Sequence, residues 1–136
     1  MSWITPKTDW VASDRFNITD YNRIRNNISF LHEEAVKVFG GFNIEDMGED
    51  ISTYTAMWDY QMFNAIEDNI DILNEHMLKE SYGAKKTYYE NGVFINYEEL
   101  NRIESASLRM YEIINGWYEG LYKLEFTVGR PKGIYR

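Results

Sequence analysis

Three stretches of the chain carry apolar residues at alternating steps of three and four, which places them on one face of an α-helix. Together with capping and glycine signals, these stripes predict helices over residues 19–40, 59–82 and 96–121. The stripes are Tyr21, Ile24, Ile28, Leu31, Ala35 and Val38; Phe63, Ile66, Ile70, Leu73 and Met77; and Leu100, Ile103, Ser107, Met110, Ile114, Trp117 and Leu121.

The three predicted helices share one phrase, an Asn two residues before an Ile of the stripe. Asn22, Asn64 and Asn101 fall in register, at spacings of 42 and 37 residues. Repeats at such periods indicate one supersecondary unit used several times.

The remaining segments lack the helical spacing of apolar residues. Residues 1–18 have large apolar side chains without a helical period, which predicts an extended N-terminal arm laid on the helices. β-favouring residues flank Asn91-Gly92 and predict a hairpin over 86–95. Residues 122–128 alternate like a strand, and Gly129, Pro131 and Gly133 mark a tail, so 122–136 is predicted as strand and tail.

One narrow apolar stripe cannot be buried alone, whereas three facing inward share a core. The sequence therefore predicts a mainly α single domain over 1–136. We expect a three-helix bundle with a small β-hairpin and the extended arm.

Asparagine is a poor helix former, so its repetition inside helices needs a reason. The repeated residues lie at the edges of the stripes: Asn22, Asn27, Asn64, Asn69 and Asn101. We predict structural pairing, either between helices or to loop backbone, as buried Asn sets register in coiled coils. The alternative is a duplicated scaffold with solvated asparagines. The third copy has Ala106 at the position of Asn27 and Asn69.

The composition narrows the classes of partner. The net charge of −8 repels phosphate backbones and argues against nucleic acid. The start lacks the apolar core of a signal peptide, and no apolar run is long enough to span a bilayer. We therefore expect synthesis in the bacterial cytoplasm and no membrane partner. There are no cysteines, which excludes disulfides and Cys-based zinc sites.

Aromatic residues make up 16% of the chain, more than a small core is expected to hold. The surplus predicts an interface with another protein or with further copies. The candidate interface residues are Trp3, Trp10, Trp58, Tyr88, Tyr89 and Tyr135.

The sequence offers little chemistry. His32 and His76 stand three residues after Ser29 and Leu73, so the Glu-x-x-His motif of di-iron bundles is missing. The acidic residues 45–50 do not match an EF-hand loop. Adjacent glutamates such as Glu98 and Glu99 point in different directions and cannot flank one glycosidic bond. No catalytic residue, cofactor site or metal site is predicted.

Several phrases resemble a family of short, generally uncharacterised proteins in tailed phages and prophages of Firmicutes. The residues that carry the resemblance are Trp3-Ile4-Thr5-Pro6-Lys7-Thr8-Asp9-Trp10, Asp14-Arg15-Phe16-Asn17, Asp20-Tyr21-Asn22-Arg23-Ile24, Phe63-Asn64-Ala65-Ile66-Glu67, Lys86-Thr87-Tyr88-Tyr89 and Leu100-Asn101-Arg102-Ile103-Glu104. Such proteins come from the tail or baseplate gene region. The resemblance implies a virion-associated structural role and supplies no catalytic residue.

Three functions follow as hypotheses. The first is a non-enzymatic tail or baseplate protein, a homo-oligomer that packs against other virion tail proteins or itself. The second is a carbohydrate-binding module, since flat aromatic faces beside acids stack on host glycans. The third is an unrecognised hydrolase, which would need a pocket that unites acids or histidines.

Overall fold

The computed structural model describes residues 3–47, 59–77, 83–90 and 95–128, with side chains as far as residue 116. Within these ranges the chain is mainly α, with three helices and no strand. They are α1 (Ile18–Phe39), α2 (Tyr60–His76) and α3 (Tyr97–Val128). The prediction of a mainly α chain with three helices is confirmed.

Polar side chains start each helix. The carboxamide of Asn17 accepts from the backbone N–H of Asp20, whose side chain accepts in return, so α1 begins with a capping box. The side chain of Asp59 caps α2 by accepting from the backbone N–H of Gln61, and the side chain of Asn96 accepts from the N–H of Glu99 at the start of α3. The N-cap of α1 thus lies two residues before residue 19, where the predicted helix begins.

The three apolar stripes face one shared core. All three helix pairs are in contact. Ile28, Leu31, Ile66, Ile70, Leu73 and Ile103 are each 0% exposed. Ser107 takes an apolar position in the stripe of α3 and donates its hydroxyl to the carbonyl of Ile103, so the polar group is satisfied within the helix.

The three helices run in the same direction. Arg23 of α1 binds Glu104 of α3, and one heptad further along both helices the rings of Phe30 and Tyr111 lie 6.0 Å apart. Contacts that advance together along two helices require parallel axes. The segment after α1 shows that α1 and α2 are also parallel. Its residue Phe42 contacts both His32, in the second half of α1, and His76, at the end of α2, and its later residue Met47 accepts a hydrogen bond from Tyr21 near the start of α1.

Parallel helices need connections that travel back along the bundle. The links 40–59 and 77–96 are far longer than the roughly two to eight residues that join antiparallel neighbours. Their described parts, 40–47 and 83–90, descend along α2 towards the helix starts, and the arm, residues 3–17, descends along α1 and α3. We call these three the returning segments.

Two predicted β elements differ from the structure. Residues 86–90 and residue 95 of the predicted hairpin form no strand, so the hairpin is not supported; residues 91–94 lie outside the described residues. Residues 122–128 are helical, because α3 continues to Val128. No proline or turn residue interrupts the chain between Leu121 and Val128, and a short apolar alternation does not separate strand from helix. The predicted tail beyond 128 and residues 78–82 of the second helix also lie outside the description.

Candidate functional site

Among the described residues, four asparagines hold the returning segments by the same pair of hydrogen bonds. In each pair the carboxamide oxygen accepts from a backbone N–H, and the carboxamide nitrogen donates to the carbonyl of the same residue. We call this arrangement an asparagine clamp. The clamps join Asn27 to Ile4, Asn69 to Glu45, Asn64 to Tyr88 and Asn101 to Trp10, with donor–acceptor distances of 2.7–3.0 Å.

The clamp explains why the residue is asparagine. In an extended chain the N–H and C=O of one residue point to the same side, as they do towards a neighbouring strand. A carboxamide presents one acceptor and donors side by side, so it completes both bonds from a helix. A carboxylate has only acceptors and would face the carbonyl oxygen. The side chain thus supplies what a second strand would supply in a sheet.

The clamps follow a cyclic order. Asn27 and Asn69 hold the segment that precedes their own helix. Asn64 holds the segment that precedes the next helix, and Asn101 of α3 holds Trp10 of the arm, 91 residues away. The arm therefore closes a ring of three segment-and-helix units. Asn22, the fifth predicted asparagine, is half-buried on α1 and also has a polar interaction.

A buried carboxylate reinforces the clamp at Trp10. Glu104 is 1% exposed and lies three residues after Asn101. Its oxygens accept from the indole Nε1 of Trp10 at 2.7 Å, from the N–H of Lys7 at 3.1 Å, and from Arg23 Nε and Nη2 at 2.9 and 2.6 Å. A carboxylate offers about four acceptor sites, so these four donors fill it.

A matching carboxylate reinforces the clamp at Tyr88. Glu67 is 0% exposed and lies three residues after Asn64. It accepts from the hydroxyl of Tyr88 at 2.9 Å, from the N–H of Lys86 at 3.3 Å and from Arg102 Nη2 at 2.5 Å. Each centre thus pairs an Asn-x-x-Glu helix with an aromatic donor of a returning segment and an arginine of the neighbouring helix.

The two centres use equivalent places in the repeat. Glu67 and Glu104 both directly follow the stripe Ile of the phrase, and Arg23 and Arg102 both directly precede it. The copy in α1 has Arg25 where the other copies have glutamate, and the copy in α2 has Ala65 where the others have arginine. Two of the three equivalent carboxylate–arginine pairs can therefore form.

The charges in these centres support each other. Burial alone would lower the pKa of Arg23, but its hydrogen bonds to Glu104 and Asp20 outweigh burial and raise it. The pKa of Arg102 is also raised, because its hydrogen bonds to Glu67 and Glu99 outweigh the lowering effect of burial. Burial, followed by the nearby charge of Glu67, raises the pKa of the Tyr88 phenol, which keeps its O–H as a donor.

The predicted interface aromatics separate into buried and exposed residues. Trp10 and Tyr88 are both 3% exposed, because their polar groups reach the buried carboxylates. Trp3 is half-buried and stacks on Tyr111, with ring centroids 4.1 Å apart. Tyr89 is 69% exposed. Trp58 and Tyr135 lie outside the described residues.

The two histidines contact the returning segment 40–47. His32 Nε2 donates to the carbonyl of Phe42 at 2.5 Å, and the ring of His76 stacks on Phe42 at 4.0 Å. Over the described ranges, no three His, Asp or Glu residues are placed to hold a metal ion. No helix in the described part of the chain combines the length and apolarity needed to cross a bilayer.

The sequence prediction named the asparagines but not the residues beside them. Glu67, Glu104, Arg23 and Arg102 were absent from the predicted set, because charged residues next to a stripe usually face solvent. One signal was available: Asn64 and Asn101 are each followed by Glu at the third position and by Ile at the second, so the repeat includes the carboxylate.

Comparison of the chain with protein-family models, with curated proteins and with solved structures gave no match. Its function must therefore be inferred from its own residues.

Proposed function

We propose that this chain is a non-enzymatic structural protein of a phage tail or baseplate, where a bundle of three helices docks to other virion proteins and to copies of itself. The proposal takes its setting from the resemblance of the opening phrase and the helical phrases. Its physical support comes from how the buried polar residues are used.

The observation that carries the proposal is the saturation of the buried carboxylates. An enzyme that used Glu104 as acid, base or nucleophile would need a free oxygen lone pair that a substrate can reach. Glu104 instead receives four hydrogen bonds from the chain itself and is 1% exposed. Groups of this kind fix a backbone in place, which is the requirement of a scaffold.

An exposed apolar surface lies where a partner could dock. Tyr89, Val11 and Tyr97 are 69%, 51% and 38% exposed. Val11 follows Trp10, Tyr97 opens α3 and Tyr89 follows Tyr88, so all three belong to the end of the bundle where the helices begin. We call them the end surface. Exposed tyrosines and aliphatic residues grouped in this way are typical of protein interfaces.

Affinity purification with the products of the flanking tail genes tests this role. We expect full-length protein to capture at least one of them and to be present in purified particles. Tyr89→Ser with Tyr97→Ser should abolish capture, whereas Phe39→Ser should leave it unchanged, since Phe39 is about as exposed as Tyr97 but lies at the other end of α1. Absence from particles together with failure to bind any flanking product would contradict the proposal.

One observation favours the carbohydrate-binding alternative. A cleft of about 180 Å³ lies between the arm and the start of α3, and Asp14, Phe16 and Tyr97 are among its lining residues. An aromatic ring beside a carboxylate is the arrangement that holds a sugar ring. Glycan-array binding that disappears in Tyr97→Ser would support this alternative, and no binding by the wild type would reject it.

A further inference from the structure

The cleft between the arm and the start of α3 has aromatic walls. Its volume is about 180 Å³, and its lining includes Trp10, Phe16 and Tyr97. The rings of Trp10 and Phe16 are inclined at 44° with centroids 6.1 Å apart, and Tyr97 is 38% exposed. We call this site the aromatic cleft. It is smaller than the roughly 300–1,000 Å³ of pockets for drug-sized ligands, so it suits a compact chemical group.

One carboxylate, that of Asp14, also lines the aromatic cleft. Asp14 Oδ2 accepts from the backbone N–H of Val11 at 2.9 Å and lies 3.4 Å from Lys7 Nζ. The hydrogen bond from Val11, together with the charge of Lys7, outweighs burial and lowers the pKa of Asp14 below its ordinary value. The carboxylate is therefore ionised at neutral pH, and both contacts use the same one of its two oxygens.

The charges around the aromatic cleft favour a cation. Lys7 Nζ lies 3.2 Å from Asp9 and 3.4 Å from Asp14, so two carboxylates share one ammonium and one negative charge remains. The same Nζ lies over the ring of Trp10, 5.2 Å from its centroid, which shows that an aromatic ring of this site already attracts a cation. The whole chain carries a net charge of −8, which repels anionic ligands.

The hydrogen-bonding capacity of the walls decides which cation fits. Trp10 commits its indole N–H to Glu104, and Asn96 commits its carboxamide oxygen to the cap of α3. Among the lining side chains, that leaves Asp14 and the hydroxyl of Tyr97 as acceptors. The other lining side chains are hydrocarbon: Ala12, Phe16, Ile95 and Leu100.

A primary ammonium has three N–H donors and a sugar has several hydroxyl groups, and each buried polar group needs a partner. A trimethylammonium group has no donor, and its positive charge is spread over methyl groups that pack on hydrocarbon and on aromatic faces. Recognition of quaternary ammonium ions by aromatic side chains is a common use of cation–π attraction.

We propose that the aromatic cleft is a binding site for a trimethylammonium cation of the choline type, with its methyl groups against Phe16 and Tyr97 and its charge next to Asp14. This inference goes beyond the virion role and does not depend on it, because it rests on the cleft alone and is tested with small molecules.

NMR titration of the isotope-labelled wild-type protein tests the site. The probes are choline and its neutral isostere, in which a tert-butyl group replaces the trimethylammonium group. We expect choline to shift the amide signals of Phe16, Asn96 and Tyr97 with a dissociation constant of about 1 mM or tighter, and the isostere to bind about tenfold more weakly. No shift with choline, or equal affinities for the two compounds, would overturn the proposal.

Two further ligands compare the competing chemistries. Ethanolamine, the primary ammonium analogue, should bind more weakly than choline, and methyl glucoside that bound more tightly than choline would overturn the proposal in favour of a sugar site. Sedimentation with phosphatidylcholine vesicles distinguishes a lipid head group from a soluble ligand, and free choline must bind in either case.

Matched variants locate the site. Tyr97→Ala should weaken choline binding about 3- to 30-fold, whereas Tyr89→Ala, in the end surface but outside the cleft lining, should leave it unchanged. Asp14→Asn keeps an acceptor for Val11 and should weaken binding about fivefold, and Asp9→Asn, with the same change in charge but outside the lining, should have a smaller effect. Folded cleft variants that bind choline as the wild type does would also overturn the proposal.

Discussion

At the scale of single residues, this protein uses side-chain amides where other folds use strands. A returning segment has no neighbouring strand, so its N–H and C=O groups need partners from helices. The carboxamides of Asn27, Asn64, Asn69 and Asn101 supply two bonds each to one residue. Asparagine's low helix propensity, below 1 kcal/mol per residue, is offset by two bonds at about 0.5–1.5 kcal/mol each.

Replacement of a clamp asparagine by aspartate should lower the free energy of unfolding, although the two side chains have nearly the same shape. Asn101→Asp loses the donor to Trp10 and sets a carboxylate against that carbonyl, so we expect a loss of about 1–3 kcal/mol in the free energy of unfolding. Chemical denaturation followed by Trp fluorescence measures it. Asn43→Asp, an exposed residue with the same change in charge, is the matched control and should change stability by under about 0.5 kcal/mol. Equal effects of the two would contradict the clamp.

Removal of one buried charge should have a larger effect. Glu104→Gln removes the carboxylate that receives two hydrogen bonds from Arg23, whose side chain is 12% exposed, and leaves Asp20 as the other carboxylate partner of Arg23. Breaking a buried ion pair from one side costs about 3 kcal/mol. Glu112→Gln, in a pair whose side chains are more than half exposed, should cost less than about 1 kcal/mol when measured by the same denaturation experiment. A Glu104→Gln variant as stable as Glu112→Gln would refute the role of the buried centre.

At the scale of elements, the returning segments depend on close approach to the helices. Gly83 has φ +111°, and a Cβ there would lie 2.5 Å from Cδ of Arg102. Arg102 cannot move aside easily, because Glu67 and Glu99 hold its guanidinium. Gly83→Ala is therefore expected to destabilise the fold by on the order of 1–3 kcal/mol in thermal unfolding. Gly41→Ala, with open space around its Cβ, should be close to neutral.

The segment 40–47 carries a pH-sensitive contact. A hydrogen bond to Asp68, followed by burial, raises the pKa of Glu45 above its ordinary 4.5. Burial opposes the fall in the pKa of Asp68 below 3.8, but hydrogen bonds to Lys85 and Glu45 outweigh it. Because its folded pKa is raised, Glu45 stabilises the fold at pH values below its unfolded pKa, and this effect is lost as the pH rises through the folded pKa. Because its folded pKa is lowered, Asp68 stabilises the fold at pH values above its unfolded pKa, and this effect is lost as the pH falls through the folded pKa.

The two contributions overlap between the ordinary values of 3.8 and 4.5, so the contact should be firmest in that window. A ¹³C NMR titration of the carboxyl carbons should show Glu45 titrating above 4.5, and Asp68→Asn should return it towards 4.5. Titration of Glu45 at or below 4.5 in the wild type would contradict the contact.

The helices and the location of the asparagines could be predicted because both depend on local sequence. The apolar stripes predicted which faces of the helices are buried, and the repeated Asn two residues before Ile predicted which positions of the three helices are equivalent. The targets of the asparagines could not be predicted: Trp10 lies 91 residues from Asn101, and a carboxamide binds any backbone. Because Asn101 binds the backbone of the arm, no particular side chain in the arm indicates where the contact forms. The partner of the Trp10 indole could not be predicted for the same reason, since its N–H donates to the distant Glu104.

At the scale of the whole molecule, the parallel order of the helices sets the architecture. Long connections between helices were visible in the sequence, but the bundle prediction left helix direction open. Because the helices are parallel, their N-terminal ends lie at the same end of the bundle. The end surface therefore contains residues from the arm, from the segment 83–90 and from α3. This explains how a small domain presents Val11, Tyr89 and Tyr97 together.

Spin-label distances test the parallel order. The chain has no cysteine, so labels can be placed freely. Cysteines at Thr19 and Gln61 mark the starts of α1 and α2, and one at Lys37 lies about 27 Å further along α1 at 1.5 Å per residue. We expect the Thr19–Gln61 distance from pulsed electron paramagnetic resonance to be shorter than the Lys37–Gln61 distance. The reverse order would mean antiparallel helices.

Amide hydrogen exchange tests the asparagine clamps most directly. The N–H groups of Ile4, Trp10, Glu45 and Tyr88 lie outside helices, yet each donates to a helix-borne carboxamide. We expect these four amides to exchange slowly, with protection approaching that of the helix cores, while exposed Thr8 and Asn43 exchange fast. Exchange of the Trp10 and Tyr88 amides as fast as that of Thr8 would mean that the asparagine clamps do not form.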